Sequence, residues 1–152
     1  MKKLVKILVI LVVIFGLMQL VPVDKVNPPV KVSENFVSVF NTPKNVQEIL
    51  KSACYDCHSN ETIYPDYAKI APVSWAIKDH INEGREHLNF SIWTTYNQDL
   101  KRNMLESSIA DLEQNRMPIA GYTVYHPDAK LNDAQKKVLI NYFTDILKSE
   151  KY

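Results

Sequence analysis

The sequence predicts an all-α protein: one helical domain preceded by a single N-terminal transmembrane helix. Three observations carry this. Between Thr42 and Leu147, successive stretches place apolar residues three and four apart, the period of a helix with one buried face. The chain has only 3 glycines and 8 prolines, which argues against a turn-rich β domain and against a long flexible linker. Lys2, Lys3 and Lys6 precede a run from Ile7 to Val23 in which Gln19 is the only clearly polar residue.

That run is at the short end of what spans a bilayer. Lysines on its N-terminal side favour a cytoplasmic start with the bulk of the chain outside. The alternative is the apolar core of a cleaved signal peptide. Cleavage wants small residues, whereas Leu20-Val21-Pro22-Val23 offers large ones and Gly16 is a weak substitute. No cysteine follows the run, which excludes lipoprotein processing. Next, Val26-Asn27-Pro28-Pro29-Val30 favours extended backbone, as a stalk or as a strap on the domain surface.

The first domain helix is expected to begin with Thr42 as cap and Pro43 at its first position. Val46, Ile49, Leu50 and Ala53 form its stripe, which runs into Cys54. Residues 59–72, with Pro65, Pro72, Tyr64 and Tyr67, read as an irregular loop. A helix from Ser74 to about Leu88 carries Trp75, Ile77, Ile81 and Leu88. Another, from about Asn97 to Asn115, carries Leu100, Met104, Leu105, Ile109 and Leu112 as core residues. A loop follows to about Lys130. Asn132-Asp133-Ala134-Gln135 then resembles a capping box opening the last helix, with Val138, Leu139, Tyr142, Phe143, Ile146 and Leu147 inward.

Cys54-Tyr55-Asp56-Cys57-His58 reads C-x-x-C-H, the c-type haem attachment pattern. Two thiols one turn apart can each add across a haem vinyl group, and the adjacent histidine then lies under the iron as proximal ligand. A thioredoxin-like pair would sit in a βαβ context that this region lacks. A zinc site wants a second close Cys or His pair; the chain has no third cysteine, and His80, His87 and His126 form no such pair. Ile70-Ala71-Pro72 is one segment that could bring a backbone carbonyl to the His58 imidazole, although the sequence does not say which carbonyl takes that role. An exported chain agrees with this motif, because such attachment takes place outside the cytoplasm.

The sixth iron position decides the chemistry. Met117, in a loop stiffened by Pro118 ahead of the last helix, is the leading candidate; a thioether raises the potential and suits an electron carrier. The alternative sixth ligands are His126 and then His80, with His87 last. Arg85, Trp75, Trp93, Tyr122 and Tyr125 are candidate contacts for haem propionates, although Arg85 could equally pair with Glu83 or Glu86. A formal net charge of +1 gives no polyanion-binding signal, so no nucleic-acid partner is expected.

With these residues in hand, the chain resembles the haem-binding-domain family of small, membrane-anchored bacterial c-type cytochromes. The resemblance rests on Cys54 through Thr62, on Ile70-Ala71-Pro72-Val73-Ser74-Trp75, and on Asn82 through Ser91 with Trp93. It continues in Met117-Pro118 with Tyr122, His126-Pro127 and Ala129, and covers about Thr42 to Leu147. Tyr64-Pro65-Asp66-Tyr67 matches the family's aromatic-proline segment, with Asp66 where tryptophan is commoner. The resemblance implies one haem c at Cys54, Cys57 and His58 in a cytochrome c-like fold.

The domain reading is therefore 1–23 as membrane anchor or uncleaved signal, 24–42 as stalk, and 43–152 as the haem-binding, cytochrome c-like domain. The expected function is single-electron transfer by a haem c protein of the bacterial inner membrane, with its domain in the periplasm and redox proteins of the cell envelope as partners. It requires no catalytic base, and none is evident, so an electron carrier is favoured over an enzyme. A peroxidase-like enzyme with an open distal site, with His126 as acid/base, is one alternative; a haem-based sensor is another.

Overall fold

Apolar stripes, with side-chain caps at Asn35, Asn97 and Asn132, divide the chain into eight α-helices joined by short 3-10 turns. The computed structural model describes residues 1–152, and no residue lies in a strand. The helices are α1 (Lys2–Met18), α2 (Phe36–Val39), α3 (Lys44–Ala53), α4 (Tyr55–His58), α5 (Val73–His87), α6 (Gln98–Glu113), α7 (Ala120–Tyr125) and α8 (Asp133–Ser149). The all-α expectation holds.

The expected transmembrane helix does not. No helix of the protein is long and apolar enough to cross a membrane. At 1.5 Å per residue the 17 residues of α1 cover about 26 Å, short of the ~30 Å hydrocarbon core, and the first turns are spent on lysines. Its end is set by Gln19, which caps the helix and docks on the domain: the side-chain amide donates to Ala71 O at 3.1 Å, and Ala71 N donates back to Gln19 Oε1 at 3.0 Å. Trp75 Nε1 adds a bond to Val21 O at 3.2 Å, so Leu20–Val23 leave the helix.

Residues 24–42, expected as a stalk or strap, lie against the domain and enter its core. Asn27 Nδ2 donates to Thr62 O at 2.8 Å. Asn35 caps α2 by accepting from Val37 N at 3.2 Å, and Phe36 immediately after it is fully buried. Phe36 meets Trp93 edge-on, with centroids 4.9 Å apart, and Phe90 at 5.1 Å. Around this aromatic centre sit Leu50, Leu105, Leu139 and Phe143. α6 lies along α8, α3 rests on α8, and α4 is pressed against α5.

Helix starts follow local chemistry with two shifts. Asn97 caps α6 by accepting from Leu100 N at 2.9 Å, and the capping box at Asn132 and Gln135 is formed in both directions. Thr42, however, is buried one residue outside the α3 cap, and its hydroxyl pairs with Tyr142 Oη at 2.8 Å. Ser74 likewise is inside α5, whose cap position is Pro72. In both cases the residue expected to cap the helix is buried instead.

Candidate functional site

α3 ends at Cys54, where φ −124° and ψ −39° bend the chain before the single turn of α4. The Cys54 carbonyl accepts from both Cys57 N (3.2 Å) and His58 N (2.9 Å), so one turn carries both thiols and the imidazole. The two intervening residues anchor that turn in opposite directions. Tyr55 points inward, stacked on Phe90 at 5.3 Å, its hydroxyl donating to Asn35 Oδ1 at 3.0 Å. Asp56 holds the following loop: its Oδ1 accepts from Ile63 N at 2.9 Å and its carbonyl from Thr62 Oγ1 at 2.6 Å.

α5 braces this turn from behind. A Cβ at Gly84 would meet Cys57 O at 2.8 Å and Cys57 Cβ at 3.2 Å, so only glycine permits the approach. Arg85 reaches over the same loop, donating to Ser59 O (2.7 Å), Asn27 Oδ1 (2.8 Å) and Thr62 Oγ1 (2.9 Å). It is thus a structural staple, neither a partner of Glu83 or Glu86 nor part of the cavity wall. The acceptor for His58 is also on this element. His58 Nδ1 lies 3.1 Å from Leu88 O, not near Ile70-Ala71-Pro72, whose Ala71 is occupied by Gln19. Leu88 caps α5, where carbonyls lack partners within the helix. Nδ1–H therefore donates to Leu88 O, and Nε2 is the nitrogen left to bind.

Burial lowers the pKa of His58 below its ordinary value, against the opposing pull of the Leu88 and Gly84 carbonyls, which favours the neutral imidazole a metal needs. Burial pushes the Cys54 thiol up to about 12, with Cys57 adding to it. Burial and the Asp56 charge push the Cys57 thiol up to about 11. Both are free thiols, protonated at neutral pH.

Cys54, Cys57 and His58 form one wall of a cavity of about 900 Å³, more than half of whose lining residues are apolar. α6 supplies Leu100, Met104 and Ser108; the segment after it supplies Arg116, Met117, Pro118 and Ile119; Leu139 and Phe143 of α8 line it as well. Met117, 37% exposed, lines the same cavity as His58. His80 also lines it but is largely exposed and sits 3.8 Å from Glu83; His87 is exposed at the wall.

The remaining candidates lie elsewhere. His126 is outside the cavity wall: its ring stacks on Tyr122 at 4.3 Å and its Nε2 is 2.5 Å from Tyr67 Oη. Tyr125 leans on Tyr67 at the surface. Trp93 is a fully buried core residue and Trp75 is bonded to Val21 O. Of the candidate propionate contacts, only Tyr122 reaches the cavity, and its hydroxyl is already given to Asp56 Oδ2 at 2.6 Å. Sequence reasoning missed Leu100 and Met104 as cavity wall. The apolar stripe of α6 looks the same whether it covers a core or a cofactor. It also missed Arg116, which no motif marks.

The site has room for a mostly apolar group that carries its own metal. The cavity is within the ~300–1,000 Å³ range of small-molecule and cofactor sites. It offers one oriented imidazole, and no group of three or more His, Cys, Asp or Glu side chains gathers to hold a bare ion. An all-helical domain with such a cavity and such a turn has the features a haem-binding protein needs. The family model for a haem-binding domain matches residues 13–145, and the chain belongs to that family. No curated protein and no solved structure matches it.

Proposed function

We propose that this protein is a c-type cytochrome that carries single electrons. The observation that carries the reading is the shared cavity: both thiols, a neutral imidazole oriented through Nδ1, and a loop methionine line one mostly apolar space. Cys54 and Cys57 would each add S–H across a vinyl group, sulfur to one carbon and hydrogen to the other, with no leaving group and no change in electron count. His58 Nε2 and Met117 Sδ, from residues that line the same cavity, would be the atoms that hold the haem iron. When bound, the iron supplies a reversible one-electron couple, which the thioether biases towards the reduced form. The chain's own part is to orient the imidazole through Leu88 O, to exclude water with Leu100, Met104 and Phe143, and to keep the attachment turn rigid.

The lysines before the apolar run support export, with the haem domain in the periplasm and redox proteins of the cell envelope as partners. A peroxidase-like enzyme would need a distal acid/base. His126, the residue available for that role, has its Nε2 engaged by Tyr67 and is not part of the cavity wall. The electron-carrier reading is therefore the stronger.

The test is the absorption spectrum of the exported protein, oxidised and reduced, beside Met117→Ala. Covalent haem, retained after denaturation, with a far-red sulfur-to-iron band that the variant loses is the expected result. The variant's potential should also fall. A high-spin wild-type spectrum, or a band indifferent to the substitution, refutes Met117 ligation. Haem extractable by acid and organic solvent refutes covalent attachment.

A further inference from the structure

The Met117 segment is fixed at both ends, and one of the fixings reaches into the attachment turn itself. On the near side, Arg116 bonds to Asp111 Oδ1 at 2.7 Å, and Arg116 N (2.9 Å) and Met117 N (3.4 Å) both donate to Asp111 O. On the far side, Tyr122 Oη donates to Asp56 Oδ2 at 2.6 Å, and Asp56 is the residue directly before Cys57. Asp56 cannot drift with the tyrosine, because Ile63 N and Thr62 Oγ1 hold its other oxygens. The Tyr122 ring cannot easily swing away either, being stacked on His126, which Tyr67 holds in turn.

We infer that Tyr122 is a positioning residue whose hydrogen bond to Asp56 clasps the Met117 segment to the haem-attachment turn and keeps that methionine seated as ligand. This rests on the His58/Met117 reading above. The clasp links the two halves of the site directly, through a side chain on each, so distal ligation depends on a residue of the proximal motif. It also accounts for Asp56, since C-x-x-C-H leaves this position open and here it holds a carboxylate that a phenol can reach. Burial, together with the Asp56 carboxylate, holds the Tyr122 phenol well above its ordinary pKa, so the donor keeps its proton at neutral pH.

The experiment titrates the oxidised, haem-loaded full chain with imidazole, following loss of the far-red band. Tyr122→Phe removes only the hydroxyl and keeps the ring on His126. It should bind imidazole about tenfold more tightly than wild type, the effect of losing one hydrogen bond to a charged acceptor. Asp56→Asn keeps a partner for Ile63 N and leaves a neutral bond to Tyr122. Neutral bonds have roughly half the strength, so it should shift affinity by about threefold. The double variant should match Tyr122→Phe alone, because both changes act through one bond. Equal imidazole affinities of wild type and Tyr122→Phe, or single effects that add in the double variant, overturn the clasp while leaving Met117 ligation intact. If Tyr122→Phe does not fold, an Asp56→Asn affinity equal to wild type overturns it alone. A wild-type protein with no far-red band refutes the ligation reading first, and the clasp with it.

Discussion

The two sides of the cavity are built differently. On the His58 side, the residues around the attachment turn are tied: Tyr55 to Asn35, Asp56 to Ile63, His58 to Leu88, Arg85 to three acceptors. Helix α5 approaches so closely that a single methyl group would collide with Cys57 O. On the Met117 side, the wall is a short segment with an exposed methionine, followed by a six-residue helix with no buried residue. The difference shows how such a site divides its roles. On the proposed reading, the side that would present two thiols and an imidazole to the haem is already tied by hydrogen bonds and close packing without it. The side proposed to add one weak ligand, Met117, is held by fewer contacts, so substitutions there should change ligation more than folding.

The largest break in that contrast is at glycine. Gly84→Ala should destabilise the haem-free protein by about 2–3 kcal/mol through overpacking against Cys57. Gly121→Ala, in α7 with open space around the added methyl, should be neutral or stabilising by up to about 1 kcal/mol from helix propensity. Urea unfolding of both variants decides it. Equal midpoints would mean that α5 can move off the turn at little cost, and that the His58 side is no stiffer than the other.

A smaller break is at Arg85. Arg85→Met keeps the stem and deletes the bonds to Ser59 O, Asn27 Oδ1 and Thr62 Oγ1. Ser59 is fully buried, so its carbonyl would lose a charged donor with no water at hand. The guanidinium is itself part-exposed, which keeps the expected loss to about 1–2 kcal/mol. Denaturant unfolding should show it, together with faster amide exchange at Ile63, whose N–H depends on the same loop. A stability equal to wild type would identify the three bonds as surface decoration.

How far this division could be read in the sequence depends on what each residue answers to. C-x-x-C-H, the α3 stripe leading into Cys54 and the capping box at Asn132 are local patterns, and they appear where the sequence places them. Leu88 as acceptor for His58 is not local: it follows from where α5 ends against α4, which Gly84 controls, and no spacing encodes that. Arg85 offered several carboxylates in its own helix and chose a carbonyl, an amide and a hydroxyl from distant loops. The Ile7–Val23 run has a uniform composition, so its hydropathy hides the helix end that Gln19 makes by docking on Ala71. The α6 stripe was legible as an inward face, and Leu105 and Leu112 are buried. Leu100, expected in the core, is instead exposed at the cavity wall, which the stripe does not mark. Tertiary approach distances account for each of these differences.

The smallest expected effect sharpens the comparison most. Met117→Ala should leave the haem-free protein within about 1 kcal/mol of wild type, because the side chain is 37% exposed and lines open space rather than core. The same substitution is expected to remove the far-red band and lower the potential of the loaded protein. Thermal unfolding with and without haem separates the two. A loss of about 2–3 kcal/mol without haem would make Met117 a packing residue whose removal collapses the wall. The spectral change would then report a damaged cavity rather than a missing ligand. Near-equal stability without haem, combined with a lost band when loaded, assigns the spectral change to the thioether itself.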